Sequence, residues 1–199
     1  GTTAAARPME GMKAVVLNVD KFSGYEEMLL SDQWFAGAVV HKKENNSDKG
    51  KAGAYAMILH ENDKYNGSLR AHKSYFAFDN RIICLGSGLC NSLPSSELHT
   101  TLFQNRIDEN SCTSINGKAF CSSDTCATVS GSSCIRDRFG NAWFVKGGEV
   151  LVSRSLQHSF HEETDRPTQG LFEKAYIRHW RVDEKGLVHD YSSDGYEYI

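Results

Sequence analysis

The stretch His72-Lys73-Ser74-Tyr75-Phe76-Ala77-Phe78-Asp79-Asn80-Arg81-Ile82-Ile83-Cys84-Leu85-Gly86-Ser87-Gly88 sets the fold class. Two short apolar runs, rich in aromatic and β-branched residues, meet at Asp79-Asn80 with no residues to spare. That is the pattern of two antiparallel strands joined by a tight hairpin. Cys84, inside the run Arg81 to Leu85, reads as a buried structural thiol.

The same pattern extends in both directions. Met12 to Val19, Trp34 to His41, Ala52 to His60 and Ser74 to Phe78 read as strands, as do Leu98 to Gln104, Ala142 to Lys146, Glu149 to Ser153 and Lys174 to Trp180. Val150 and Val152 share one face by the period of two. Asn116-Gly117 is the strongest two-residue hairpin signal, and Gly140-Asn141 and Gly147-Gly148 mark further reversals. Only Ser23 to Leu30, with Ser23 as an N-cap and Glu26 three residues on, suggests a helix. Many short strands without alternating helices predict an all-β fold, an antiparallel β-sandwich.

The polar stretches Lys42 to Lys51 and Asn110 to Ser133 read as exposed loops. At the end, Tyr196-Glu197-Tyr198-Ile199 reads as a strand cut off as it begins. The expectation is one β-sandwich region over residues 1–199, incomplete at both ends.

Composition excludes several classes. The 199 residues are 40% hydrophobic and 24% charged, ordinary globular values that argue against disorder. A net charge of −3 lacks the basic stripe of a nucleic-acid binder. It also means that any site for an anionic polysaccharide must come from local Arg, Lys and His. No segment is apolar over the ~18 residues a membrane-spanning helix needs, and Gly1 to Pro8 is not a signal peptide. No cofactor motif is found.

Four of six cysteines, Cys112, Cys121, Cys126 and Cys134, crowd into one Ser/Thr/Gly-rich stretch. Three readings stay open: a four-thiolate zinc site, which lacks the usual C-x2-C pair, one or two disulfides, or free thiols. His158, His161, Glu162 and Glu163 could gather around a metal on a helix. After the Val150 to Ser153 strand they read instead as a loop cluster, so no metal is assigned. Trp34 and Trp143 sit in apolar runs and read as core rather than sugar-stacking platforms.

The order of motifs resembles polysaccharide lyase family 8, in particular the chondroitin ABC lyases. Lys73 to Asp79 matches a K-S-x-F-x-F-D strand, Leu85-Gly86-Ser87 an L-G-S-x-I strand end, and Thr100-Thr101-Leu102-Phe103-Gln104 the family's T-T-L-F-Q. Gly140-Asn141 and Val150 to Arg154 resemble G-N-x-Y and V-x-V-S-R. Arg166 to Phe172 resembles Q-P-T-x-G-N-F, and Ala175 to His179 resembles A-x-I-D-H. Weaker likeness runs upstream through Lys21-Phe22-Ser23-Gly24 to Gly1-Thr2-Thr3.

The resemblance implies a secreted or periplasmic enzyme with an N-terminal α/α toroid followed by stacked antiparallel sheets, of which this chain is the β-sandwich portion. Such an enzyme cleaves chondroitin, dermatan sulfate or hyaluronan at uronic acids by β-elimination. A toroid Asn or His neutralises the uronate, a Tyr or His removes the C5 proton, and a Tyr protonates the leaving oxygen. Those groups belong to the helical domain, which precedes this region and is the implied partner.

One catalytic position falls within the chain. The family's Glu directly before T-T-L-F-Q is His99 here, and the nearest acid, Glu97, shares its face two residues earlier. His99 and Glu97 are therefore the catalytic candidates. Gln104, Asn105 and Arg106, ending the same strand, are the substrate-binding candidates, Arg106 through its planar fork. Alternation puts Leu98, Thr100 and Leu102 on a core face and leaves His99 pointing away, toward the cleft. A second departure follows His179, where Trp180-Arg181-Val182 replaces the family's G-x-x-P. The rival reading is a non-catalytic carbohydrate-binding or scaffolding β-module.

Overall fold

Strand pairing in the computed structural model starts from the hairpin expected at Asp79-Asn80. Strands β4 (Arg70–Phe78) and β5 (Arg81–Cys90) pair antiparallel, Phe78 opposite Arg81, and Asp79 takes a positive φ of 52°. A short polar side chain tolerates that left-handed turn conformation better than a β-branched one. The structure describes residues 2–4, 35–41, 52–60, 70–90, 98–160, 166–182, 185, 188–190 and 195–199. The predicted strand Met12 to Val19, the predicted helix Ser23 to Leu30 and the Lys42 to Lys51 loop lie outside them, as do Trp34 and Glu97.

The described residues form an all-β, antiparallel structure without helix. The remaining strands are β1 (Thr2–Ala4), β2 (Phe35–His41), β3 (Ala52–His60), β6 (Leu98–Arg106), β7 (Thr113–Ile115), β8 (Lys118–Phe120), β9 (Thr125–Ser130) and β10 (Ser133–Arg136). They continue with β11 (Ala142–Val145), β12 (Glu149–Phe160), β13 (Pro167–Val182), β14 (Val188–Asp190) and β15 (Tyr196–Tyr198). Among them a nine-stranded sheet runs β2-β3-β4-β5-β15-β11-β10-β7-β8, and a six-stranded sheet runs β1-β6-β13-β12-β9 with β14 also on β13.

Between the sheets lies one apolar core. Ile135, Val150, Val152 and Ala175 are wholly buried, joined by Leu102, Phe103, Val145, Ile177, Cys84, Tyr196 and Tyr198. Val150 and Val152 face inward together, as their alternation predicts. Trp143 packs at the margin of the core, 5.8 Å from Phe103 and 6.0 Å from Tyr198 by ring centroids.

Two glycines explain why β15 fits between β5 and β11. A Cβ on Gly86 would lie 2.0 Å from the Tyr196 ring, and one on Gly195 would lie 2.6 Å from the Gly86 carbonyl oxygen. The L-G-S strand end is thus a docking notch for Tyr196.

Three expectations change. Asn110 to Ser133 is not a solvated loop, because it contains β7, β8 and β9. Its Asn116-Gly117 turn has φ of 49° and 79°, the paired positive values of a type I′ hairpin. Cys112 and Cys121 are joined in a disulfide across this hairpin, while Cys84, Cys126 and Cys134 are free. The strand expected to end at Ser153 continues to Phe160 because β13 pairs with it throughout, from Glu149 opposite Arg178 to Phe160 opposite Pro167. His158 therefore sits exposed on a strand. His161, Glu162 and Glu163 lie outside the described residues.

Candidate functional site

Strand β6 carries most of the sequence-predicted site, and two irregularities decide where its side chains go. Phe103 pairs with Ala175 but Thr101 pairs with Tyr176, so Leu102 is an extra residue on β6. Further along, His99 pairs with Arg178 and Leu98 with Trp180, so His179 is an extra residue on β13. Bulges of this kind re-aim side chains and are over-represented beside active sites. Here two of them bracket His99-Thr100-Thr101. On its other edge the segment pairs with β1, Thr3 opposite His99.

The bulge at Leu102 corrects the expected alternation. Leu102 and Phe103 both enter the core, at 7% and 6% exposure. Leu98 and Thr100 are buried as expected, and His99 does occupy the opposite face, but it is buried too, at 9%. Its ring stacks on Tyr176 with centroids 4.0 Å apart and planes 24° from parallel. Beside it Arg178 donates to Glu149 at 2.9 Å.

Through the sheet, on the core side, Thr100 Oγ1 and His179 Nε2 share a 2.7 Å hydrogen bond. The His179 ring lies 5.6 Å from that of Tyr196. Burial pushes His179 down to about 4, with neighbouring His99 adding to the effect. His179 is therefore a neutral imidazole at neutral pH. On the facing sheet burial also lowers the Lys73 amine, which lies 5.7 Å over the Tyr75 ring, and raises the Tyr75 hydroxyl to about 12.

The three substrate-binding candidates separate. Gln104 and Arg106 are exposed and share the face of His99, opposite Lys174 and Phe172. Gln104 donates to Gln157 Oε1 at 3.1 Å. Asn105 turns the other way, into a buried network: its Nδ2 donates to Glu173 Oε1 at 3.1 Å and Asp137 Oδ2 at 3.4 Å. Glu173, fully buried, also accepts from Thr113 Oγ1 at 2.5 Å and the Arg138 amide at 2.9 Å, and pairs with buried Arg154 at 3.7 Å. Arg154 in turn donates to Thr113 Oγ1 at 3.3 Å and to the Ser111 carbonyl at 2.5 Å.

Asp137 Oδ1 accepts from the amides of Phe139 and Asn141, both at 2.9 Å, which shapes the Gly140-Asn141 turn. Asn105 is thus tied into this network and does not share the face of Gln104 and Arg106. Sequence reading missed Tyr176, Arg178, His179 and the Arg154–Glu173 pair. The first three sit in the Ala175 to His179 run, where Tyr176 and Arg178 alternate with Ala175 and Ile177, and that alternation was the available signal for those two.

With this geometry in place, residues 17–181 match the super-sandwich domain of polysaccharide lyase family 8. The chain belongs to that family. It is 38% identical over its whole length to a chondroitin sulfate ABC exolyase of Proteus vulgaris, and 33% identical over 94% of its length to a chondroitin sulfate ABC exolyase of Bacteroides thetaiotaomicron. It spans 18% and 17% of those relatives. A solved chondroitinase AC lyase superposes over 82% of the chain and 22% of its own, with a TM-score of 0.59 at 22% identity, a likeness of fold. Family 8 membership, all-β fold and β-sandwich architecture are as the sequence motifs imply. The small fraction of each relative covered is consistent with a helical domain lying elsewhere in such enzymes.

Proposed function

We propose that this chain is the β-sandwich wall of the substrate cleft in a lyase that cleaves chondroitin-type glycosaminoglycans at uronic acids. The observation that carries the reading is His99. It stands at the start of T-T-L-F-Q, bracketed by two bulges, at the position of the family's acidic residue, on the face away from the core. In β-elimination the C5 proton leaves to a base, electrons form the C4–C5 double bond, and the C4–oxygen bond breaks as that oxygen takes a proton. Base, proton donor and uronate-neutralising group belong in this reading to the helical domain. His99 contributes a donor beside the developing charge, held in orientation by its stack on Tyr176. The Cys112–Cys121 disulfide supports a secreted or periplasmic setting.

The test has two arms. The 199-residue chain alone is expected to give no ultraviolet-absorbing unsaturated uronate from chondroitin sulfate or hyaluronan; steady turnover would place the chemistry here after all. In the longer enzyme that contains this segment, His99→Ala is expected to lower kcat/KM by about 10²-fold, the scale of losing one such donor. The burial of His99 favours a second reading, a non-catalytic carbohydrate-binding or scaffolding module. Unchanged activity of His99→Ala would select it.

A further inference from the structure

We infer that Asn116, in the turn between β7 and β8, is a deamidation site that the hairpin holds closed and that opens when the Cys112–Cys121 disulfide is reduced. An asparagine followed by glycine carries its own nucleophile. The Gly117 amide nitrogen attacks Asn116 Cγ, an N–C bond forms and the Cγ–Nδ2 bond breaks. Nδ2 leaves as ammonia with the proton that Gly117 gives up. Water then opens the cyclic imide at one of its two carbonyls, giving aspartate or isoaspartate. Glycine favours the attack because no Cβ crowds its nitrogen. Both residues are exposed, and a Cβ on Gly117 would meet nothing within 4 Å, so water and base reach the pair.

Conformation is what opposes the reaction. Ring closure needs the Gly117 nitrogen on the same side of the Asn116 Cα–C bond as Cβ. In the type I′ turn, with φ of 49° and 79°, the left-handed backbone turns that nitrogen to the far side. The side chain is tethered as well. Asn116 Oδ1 accepts from the Cys134 amide at 2.8 Å, and the Asn116 amide donates to the Cys134 carbonyl at 2.8 Å. Strand β7 lies between β10 and β8. These bonds therefore draw the Asn116 side chain toward β10, while Gly117 leads the chain into β8.

The lock depends on β8. Among the described residues β8 pairs only with β7, through Thr113–Phe120, Ser114–Ala119 and Ile115–Lys118. Cys112 and Cys121 stand next in that register, and their disulfide closes the open end of the hairpin. Strand β7 is anchored elsewhere, by its pairing with β10 and by Thr113, which donates to buried Glu173. Strand β8 is thus the part that frays, as short edge strands with few contacts do. Once β8 detaches, Gly117 is free to rotate and its nitrogen reaches Asn116 Cγ. A dithiol supplies the trigger: it is oxidised to its own disulfide while the Cys112–Cys121 bond breaks to two thiols.

The test is to incubate the 199-residue chain at mildly alkaline pH and follow residue 116 by peptide mass spectrometry, with isoaspartate separated from aspartate by chromatography. Four samples are compared: the oxidised chain, the chain with a dithiol, the double variant Cys112→Ser with Cys121→Ser, and the chain unfolded in urea. The chain's other Asn-Gly pair, Asn66-Gly67, is the internal reference in urea. Asn116 in the oxidised chain is expected to convert at least about tenfold more slowly than in urea. Opening the clamp, by dithiol or in the double variant, is expected to speed conversion about tenfold, the scale on which closing a short loop shifts an opening equilibrium. Circular dichroism of the same samples should show the sheets retained. An oxidised chain that converts as fast as the unfolded one overturns the proposal. So does an unchanged rate in both clamp-opened samples, or acceleration only where the sheet signal is lost.

Discussion

At its C-terminal end β6 hands Asn105 to a network of buried charges, and at its N-terminal end His99 stacks on an aromatic ring between two bulges. The first region saturates its acceptors: Glu173 receives Thr113, Asn105 and the Arg138 amide beside its pairing with Arg154, and Asp137 receives two amides and two side-chain donors. The second region includes the stack of His99 on Tyr176, the Arg178–Glu149 pair beside it and a hydrogen bond on the core side between Thr100 and His179. A network of buried charge organises loops, here the β7–β8 hairpin and the turn after β10. Irregular pairing around a stacked imidazole sets the direction of a side chain. Polar residues only a few positions apart on one strand thus have different uses.

The comparison breaks most easily at Arg154. Arg154→Ala strands the Glu173 carboxylate in the interior and is expected to cost about 3–5 kcal/mol in urea unfolding. Replacing both partners, Arg154→Met with Glu173→Leu, should recover much of that, since no buried charge is then left alone. A loss under about 1 kcal/mol in the single variant would mean that Glu173 does not depend on Arg154.

At the other end the handle is pH. His179 is held near 4 in the folded chain against about 6.5 when unfolded, so acid protonates the unfolded state first. Its contribution is full above pH 6.5 and is lost as pH falls toward 4, a decline on the order of 3 kcal/mol. His179→Asn should flatten that part of the stability–pH curve. An unchanged slope would remove the assignment.

Smaller still is the clamp on the hairpin that supplies Thr113. Changing Cys112 and Cys121 together to Ser opens a loop of sequence separation 9 and is expected to cost about 2–3 kcal/mol in a thermal melt. The smallest contrast lies between adjacent residues: Asn105→Ala should cost about 1–3 kcal/mol because it leaves buried acceptors short of a donor. Exposed Gln104→Ala should stay within about 0.5 kcal/mol. Equal effects in the two would contradict the assignment of their faces.

What could be read in the sequence was what is local. Asp79-Asn80 and Asn116-Gly117 specify their turns by their own backbone preferences, and Val150 and Val152 declare a buried face by spacing alone. The polar run after Asn110 concealed β7, β8 and β9 because, among the described residues, β8 and β9 are the edge strands of their sheets, and much of their side-chain surface meets water. The position of His99 was visible from T-T-L-F-Q, but its burial was not, since it depends on Tyr176, 77 positions on. Nor could Asn105 be separated from Gln104 and Arg106 without Glu173, 68 residues away, and the bulge at Leu102.

Strand β15 has a consequence for the order of folding. Among the described residues it alone joins the β2–β5 meander to the β11-β10-β7-β8 half of the nine-stranded sheet, pairing Tyr198 with Cys84 on one side and Val145 on the other. During synthesis both halves emerge before the segment that unites them, so each waits with an unpaired edge and the notch at Gly86 vacant. Closing contacts so distant along the chain is slow, and open strand edges are where misassembly begins. The arrival of Tyr196 to Tyr198 is therefore the step that ends the period of greatest aggregation risk for this sheet.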